Sequence, residues 1–485
     1  MPSRIGAARS AVAVAAAAAS FCALFALCGA VGADTQPAIV AAILAIGLSR
    51  KPLPASLVQR FVTPLVLAVI ALASIGIGLL MRTLPVAGAA LFVGGMFLSV
   101  WLRNFGPRLQ RAGSLIALPL VAMLIVPPPG APGRGGPLVD LAMIVCAGLV
   151  PIVAVAAFTW LARLAGLPAE APEPPAAAPK RDARPRAGLS VPTRMALQLA
   201  VALTLAFVAG FAIFPAHWSW AVLTAFIVCS GARGRGDAAY KGLLRLAGAV
   251  AGTIAAAAVS KLWAPTGVAE AVAIFGLLYL AIWLRPVSYA YWACAMTLVL
   301  ALLARDAGGI DLAILSARLA AILAGAVCAV AATWFVFPIR TTDVVCRRLA
   351  IALAALDDVV AHAHSPEGDA PGKLAAFERH LGQLNDVAAP VRLHRRLGGD
   401  HPEHPARWVD EVCGLREHAR DFTTSERPSE PQRAEIRKAI GASRRAIGNH
   451  GKPDAPADGP TIGTALVRVN EAFARTIASS ARTPN

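Results

Sequence analysis

Charge is scarce in this chain, and negative charge is scarcest. Asp, Glu, Lys and Arg make up 15% of its 485 residues, where ordinary soluble domains carry about a quarter. Residues 1–340 hold nine Asp or Glu against 25 Lys or Arg. The net charge of +17 would suit a nucleic-acid binder, but its distribution excludes one. Residues 1–340 carry +16 of it and residues 341–485 carry +1. The excess therefore belongs to the apolar part of a chain that is 57% hydrophobic with a mean hydropathy of +0.63. That is the pattern of a polytopic membrane protein with basic loops.

Other shortages narrow the function. None of the eight cysteines forms a C-x-x-C pair, and six lie in apolar runs. This excludes a disulfide framework and a zinc site and leaves them as small buried hydrophobes. His401 and His404 are three apart but broken by prolines, so no metal site is expected there. Residues 1–340 contain one histidine, His217. No nucleophile–base constellation is visible, so the chain does not read as an enzyme, and no cofactor is called for. "GARGRGD" at 231–237 lacks both G-x-x-x-x-G-K-[ST] and G-x-G-x-x-G, which excludes a nucleotide loop. The acidic residues near apolar runs, Asp34, Asp140, Glu270 and Asp311, fall at run ends. No mid-membrane carboxylate relay of the kind proton-driven carriers use is visible.

Long apolar runs are what the sequence has. Spans are expected at 10–31, 36–49, 61–80, 84–101, 113–126 and 138–162, and again at 193–213, 217–230, 243–260, 268–284, 289–304 and 311–338, since a helix needs about 20 apolar residues to cross a bilayer. The last is long enough to project beyond the bilayer, and Arg318 falls within it. The first run is too long for a cleaved signal and reads as a retained helix. Residues 163–192, with seven prolines, read as a solvated linker. The two sets of spans look alike. Arg9 and Arg194 lie 185 residues apart, as do Arg60 and Arg245; Arg103 and Arg285 lie 182 apart; Asp140 and Asp311 each begin a sixth span. Six spans per half make the repeats parallel.

The expected fold is thus all-α. A first transmembrane repeat covers 1–163, a Pro-rich linker 164–192, a second repeat 193–340, and a helical bundle 341–485, where apolar residues recur at three and four. With the N-terminus inside, inner segments hold 20 Lys or Arg and outer loops four. That bias places both termini and the linker in the cytoplasm.

The arginines that recur between the halves are the main site candidates. Arg60 and Arg245 are expected at the cytoplasmic mouths of spans 3 and 9, with Arg103 and Arg285 at span ends. One reading has them snorkelling to lipid phosphates. The other has them collecting anions, since the guanidinium fork matches a carboxylate. His217 and Trp218 open span 8, either as part of an aromatic belt or as a substrate contact. Gly248 and Gly252 form a small-x-x-x-small face suited to close helix packing.

One stretch carries a resemblance. His217-Trp218-Ser219-Trp220, the Arg233/Arg235 turn, and then Arg245, Gly248, Ala249 and Gly252 resemble the fusaric acid resistance protein-like family, which belongs with the aromatic acid exporters. That family shows a tryptophan-led helix, a basic turn and Arg-x-x-Gly-Thr-x-x-Gly. Ala249 stands in place of the threonine, so any role of that hydroxyl is lost. The resemblance implies an inner-membrane exporter of aromatic carboxylic acids. Its partners would be the bilayer and a small organic anion; nucleic acid is not among them. A periplasmic adaptor and a second copy of the chain stay open, as do a channel-like anion conductor and a non-transporting scaffold as alternative functions.

Overall fold

A computed structural model describes residues 4–33, 35–49, 57–125, 136–167, 189–262, 266–303, 312–364, 369–399, 401, 403–424, 428–450 and 460–480. Every regular element among them is helical. The chain divides into two compact units: Met1–Gly231 with Lys241–Phe337, and Ala232–Tyr240 with Pro338–Asn485.

The first unit contains α1 (Arg4–Val31), α2 (Gln36–Leu48), α3 (Leu57–Thr83), α4 (Pro85–Trp101), a 3-10 turn (Leu102–Phe105), α5 (Pro107–Ile125) and α6 (Pro137–Leu164). It continues with α7 (Val191–Ile213), α8 (Trp218–Cys229), α9 (Arg235–Leu262), α10 (Val268–Leu284), α11 (Tyr289–Leu303) and α12 (Leu312–Phe335). The residues of α9 up to Tyr240 count with the second unit. Prolines at the first turns of α2, α4, α6 and α7 suit positions whose N–H has no helical partner.

A helix stands at each expected span, with α1 and α9 beginning six and eight residues earlier than expected. Six stretches, Ile5–Val31, Pro85–Phe105, Ala142–Leu164, Val191–Ile213, Arg235–Val259 and Ser316–Phe335, are long and apolar enough to cross a membrane. Several other apolar helices are shorter, among them α2 with 13 residues and α8 with 12, while α3 runs for 27. At 1.5 Å per residue α8 reaches about 18 Å, against a hydrocarbon core of about 30 Å. Its ends are fixed by the Phe214–His217 turn around Pro215 and by Ser230–Gly231, where Gly231 adopts φ +68°. The protein is therefore multi-pass, with six full-length candidate spans among the described residues.

The last span also differs. It ends at Phe335, three residues before the expected 338. Phe337 takes the left-handed φ of +45°. The buried Gln198 amide of α7 donates to the carbonyls of Val336 at 2.9 Å and Phe337 at 3.2 Å. Those bonds hold the chain where it leaves α12.

Within the unit α8 packs against α7 and α12, and α4 against α7. Aromatic rings meet between α4 and α7 and between α7 and α8, whereas glycine and alanine meet between α8 and α12. A Cβ on Gly325 of α12 would collide with the Ala221 carbonyl of α8. Without a hydrophobic force between helices in lipid, such small-residue seams supply the dispersion contacts that hold a membrane bundle together.

The second unit is built on α13 (Thr341–His362), α14 (Ala370–Gly398), α15 (Pro405–Thr424), α16 (Glu430–Asn449) and α17 (Ile462–Ser480). Leu349, Leu353, Leu356, Phe377, Leu381, Val409, Phe422, Ile436, Ile440, Leu466 and Phe473 recur at three- and four-residue spacings and fill one core. Ser429 and Gln432 close a capping box at the start of α16. Ion pairs such as Arg437–Asp357 at 3.0 Å and Arg475–Glu435 at 3.0 Å cross between helices. They are solvated and add little; the apolar core carries the unit. Its first residues form the "GARGRGD" turn. The Arg233 N–H donates to the Asp237 carboxylate at 2.9 Å, and the Arg233 guanidinium lies 3.7 Å from Asp386.

Candidate functional site

The sequence singled out α9, and the structure shows why its arginine matters. Ten residues into this helix, Arg245 is 2% exposed. It is not at a helix mouth and its side chain does not reach solvent or a lipid surface along the helix end. Two glycines above it set the depth. A Cβ on Gly248 would come 2.5 Å from the Ala290 carbonyl oxygen, and one on Gly252 would come 2.5 Å from that of Cys294. Only glycine lets α9 lie this close to α11, and the approach closes Arg245 in.

Around Arg245 stand Tyr289 at the start of α11 and Arg318 on α12, both near enough to feel its charge. The Tyr289 hydroxyl is buried beside the Arg245 guanidinium without completing a hydrogen bond of good geometry. Arg318 is 5% exposed. Its guanidinium carbon lies 4.0 Å from the centre of the Trp220 ring on α8, a desolvated cation–π contact. Thr224, one turn after Trp220 and so on the same face of α8, has a buried hydroxyl with no partner.

Polar groups this deep normally find partners. Here Nε of Arg245 and Nε and Nη2 of Arg318 are buried with none, and among the described residues no carboxylate pairs with either guanidinium. Two like charges thus face one another in an apolar surround, which disfavours both. The arrangement has the donors and the charge to hold an anion.

The remaining sequence candidates are placed elsewhere. Arg60 lies in α3, with its side chain outside the described residues. Asp34 and Asp311 lie outside them too, as do the side chain of Asp140 and most of the linker. Arg103 is exposed in the 3-10 turn. Arg285 is also exposed, 5.5 Å from the Trp292 ring centre, and one turn before Tyr289, so it stands at the edge of the cluster. His217 precedes α8 without capping it through its side chain. Trp218 turns away to α7, where its ring lies 5.5 Å from Phe207 and 5.4 Å from Phe211. Arg245 is therefore the one candidate at the centre of the cluster, and Trp220, Thr224, Tyr289 and Arg318 join it.

The matched arginines of the two halves drew attention to what recurs, and Arg318 does not recur. The spacing of Asp140 and Asp311 puts Ala147 at its counterpart position. The available signal was simpler: a lone arginine inside an apolar run. Among curated proteins none matches this chain. Residues 199–332, which run from α7 through α12 and contain the whole cluster, match the model of the fusaric acid resistance protein-like family, the family whose pattern the α8–α9 stretch resembles.

Proposed function

We propose that the protein is an inner-membrane exporter of small aromatic or amphipathic carboxylic acids, moving them as anions with the help of the membrane potential. The observation that carries this reading is Arg245: 2% exposed, unpaired with any described carboxylate, and inside the segment that matches the family. A buried charge without a partner is disfavoured by several kcal/mol, and within a membrane such a residue marks a substrate path by default. A transported carboxylate supplies the missing charge.

The energetics suit export. An inside-negative potential drives an anion outward with about 2.3 kcal/mol per charge per 100 mV, so no proton relay is required. The excess of Lys and Arg in one set of loops supports an orientation with both termini and the linker in the cytoplasm. A reporter fused at Ala176 is then cytoplasmic and one at Thr266 periplasmic.

The deciding experiment is uptake into inside-out vesicles containing the full chain, with benzoate and other aromatic acids and an imposed potential, positive inside. Uptake is expected to saturate with concentration and to rise with the potential. Absence of protein-dependent uptake for every acid in the panel, at any potential, overturns the reading.

A further inference from the structure

One edge of Arg318 is left over. Nε and Nη2 are neighbouring N–H groups on one side of the guanidinium plane, the pair that binds a carboxylate side-on through two parallel hydrogen bonds. These are the two atoms of Arg318 that are buried with no partner. The Arg318 guanidinium carbon lies 4.0 Å over the Trp220 ring, and the guanidinium's N–H donors point outward in its own plane. The Nε of Arg245 is orphaned in the same cluster.

We propose that the Nε/Nη2 edge of Arg318 is a carboxylate fork that grips the transported anion, with Arg245 as the second cation and Trp220 holding the guanidinium plane in place. The inference rests on the export reading and deepens it: the ligand is a planar, two-oxygen anion rather than a halide. A spherical ion can satisfy one donor well but not two parallel ones at once. The unmatched positive charge of the pair lets the anion enter without a compensating cation. The shortness of α8, 12 residues, supports the same location. Together with α2, 13 residues, it is the second helix of its half in the two-repeat reading, and short segments at corresponding positions point to a transporter's binding site.

The test uses the full chain in lipid nanodiscs, with benzoate and chloride as probes, and calorimetry for affinity. The wild type is expected to bind benzoate and to bind chloride at least about tenfold more weakly. Arg318→Lys keeps the charge and loses the fork. It is expected to weaken benzoate by about tenfold or more, the usual size of a lost charge-assisted hydrogen bond, while chloride affinity stays within about twofold. Arg318→Gln, which loses both charge and fork, is expected to weaken benzoate and chloride alike; should it fail to fold, Arg318→Lys carries the comparison alone. Benzoate affinity unchanged in Arg318→Lys, or equal losses for benzoate and chloride in that variant, overturns the fork. The same variants in the vesicle assay separate the two claims. Wild-type export with an unshifted half-saturating concentration in Arg318→Lys removes the fork and leaves the exporter; no export by the wild type removes the exporter.

Discussion

The guanidinium of Arg318 lies over the indole of Trp220, 4.0 Å from carbon to ring centre, with α12 and α8 brought together by Gly325 against Ala221. In a desolvated setting such a pair contributes about 2 kcal/mol. Trp220→Leu is therefore expected to lower the melting temperature of the detergent-solubilised protein, with Trp220→Phe intermediate because its ring is the weaker partner. Equal melting temperatures for wild type and Trp220→Leu would show that the ring does not hold the charge.

Arg245 separates an anion site from a topology signal. Loss of a charge-assisted contact weakens binding by about 1.5–3 kcal/mol, roughly tenfold to more than a hundredfold. Arg245→Gln is expected to raise the half-saturating substrate concentration by that factor, and Arg245→Lys to recover only part of it. Arg233→Gln serves as the control, because Arg233 is half-exposed and spent on Asp386 at 3.7 Å. Transport per inserted molecule decides: the same value in all three variants and the wild type would leave these arginines as anchors.

The glycines of α9 make a stability prediction. A methyl group at Gly248 or Gly252 meets backbone atoms of α11 at 2.5 Å, whereas one at Gly94 or Gly276 meets nothing within 4 Å. Overpacking of this kind costs about 1–3 kcal/mol. Gly248→Ala and Gly252→Ala are expected to lower thermal stability, and Gly94→Ala and Gly276→Ala to leave it level. A flat result across all four would mean that the α9–α11 seam relaxes freely.

For the second unit, the prediction concerns both independence and pH. Its core is closed by its own helices, so a fragment from Pro338 is expected to be soluble and helical by circular dichroism. Within it, burial first and the charge of Asp343 second push the Cys346 thiol up from 9.0 to about 11. A raised pKa means the folded state prefers the protonated thiol. The stability it contributes is complete below about pH 9 and is lost as pH rises toward about 11. Denaturant melts of the fragment from pH 8 to 11 should show that loss, and Cys346→Ala should flatten it. Identical slopes in both proteins would refute the assignment.

Much of the helix order was readable because apolar runs and their breaks are local properties: Pro215 before α8 and Gly231 after it can be seen in the sequence. Span length was harder to judge, since a short apolar helix and a truncated span share one composition. The site was half legible. Arg245 announced itself through its glycine-rich neighbourhood, but its depth depended on α9 starting at Arg235, inside what read as a solvated turn. Trp220 stood out only as part of the tryptophan-led stretch that opens α8, and Tyr289 was not singled out. That they lie around the two arginines is a product of packing among α8, α9, α11 and α12, and no periodicity reports it.

The glycine seam also has a mechanical meaning. Where two helices touch backbone to backbone there are no long side chains to slide past one another, and the joint has no play. Gly248 and Gly252 thus weld α9 to α11 at two successive turns, and Arg245 and Tyr289 ride on the same stiff lever. If the bundle rocks to release its cargo, the bearing must lie at a seam of larger, rolling side chains, such as the mutually tilted rings of Phe207, Phe211 and Trp218 between α7 and α8.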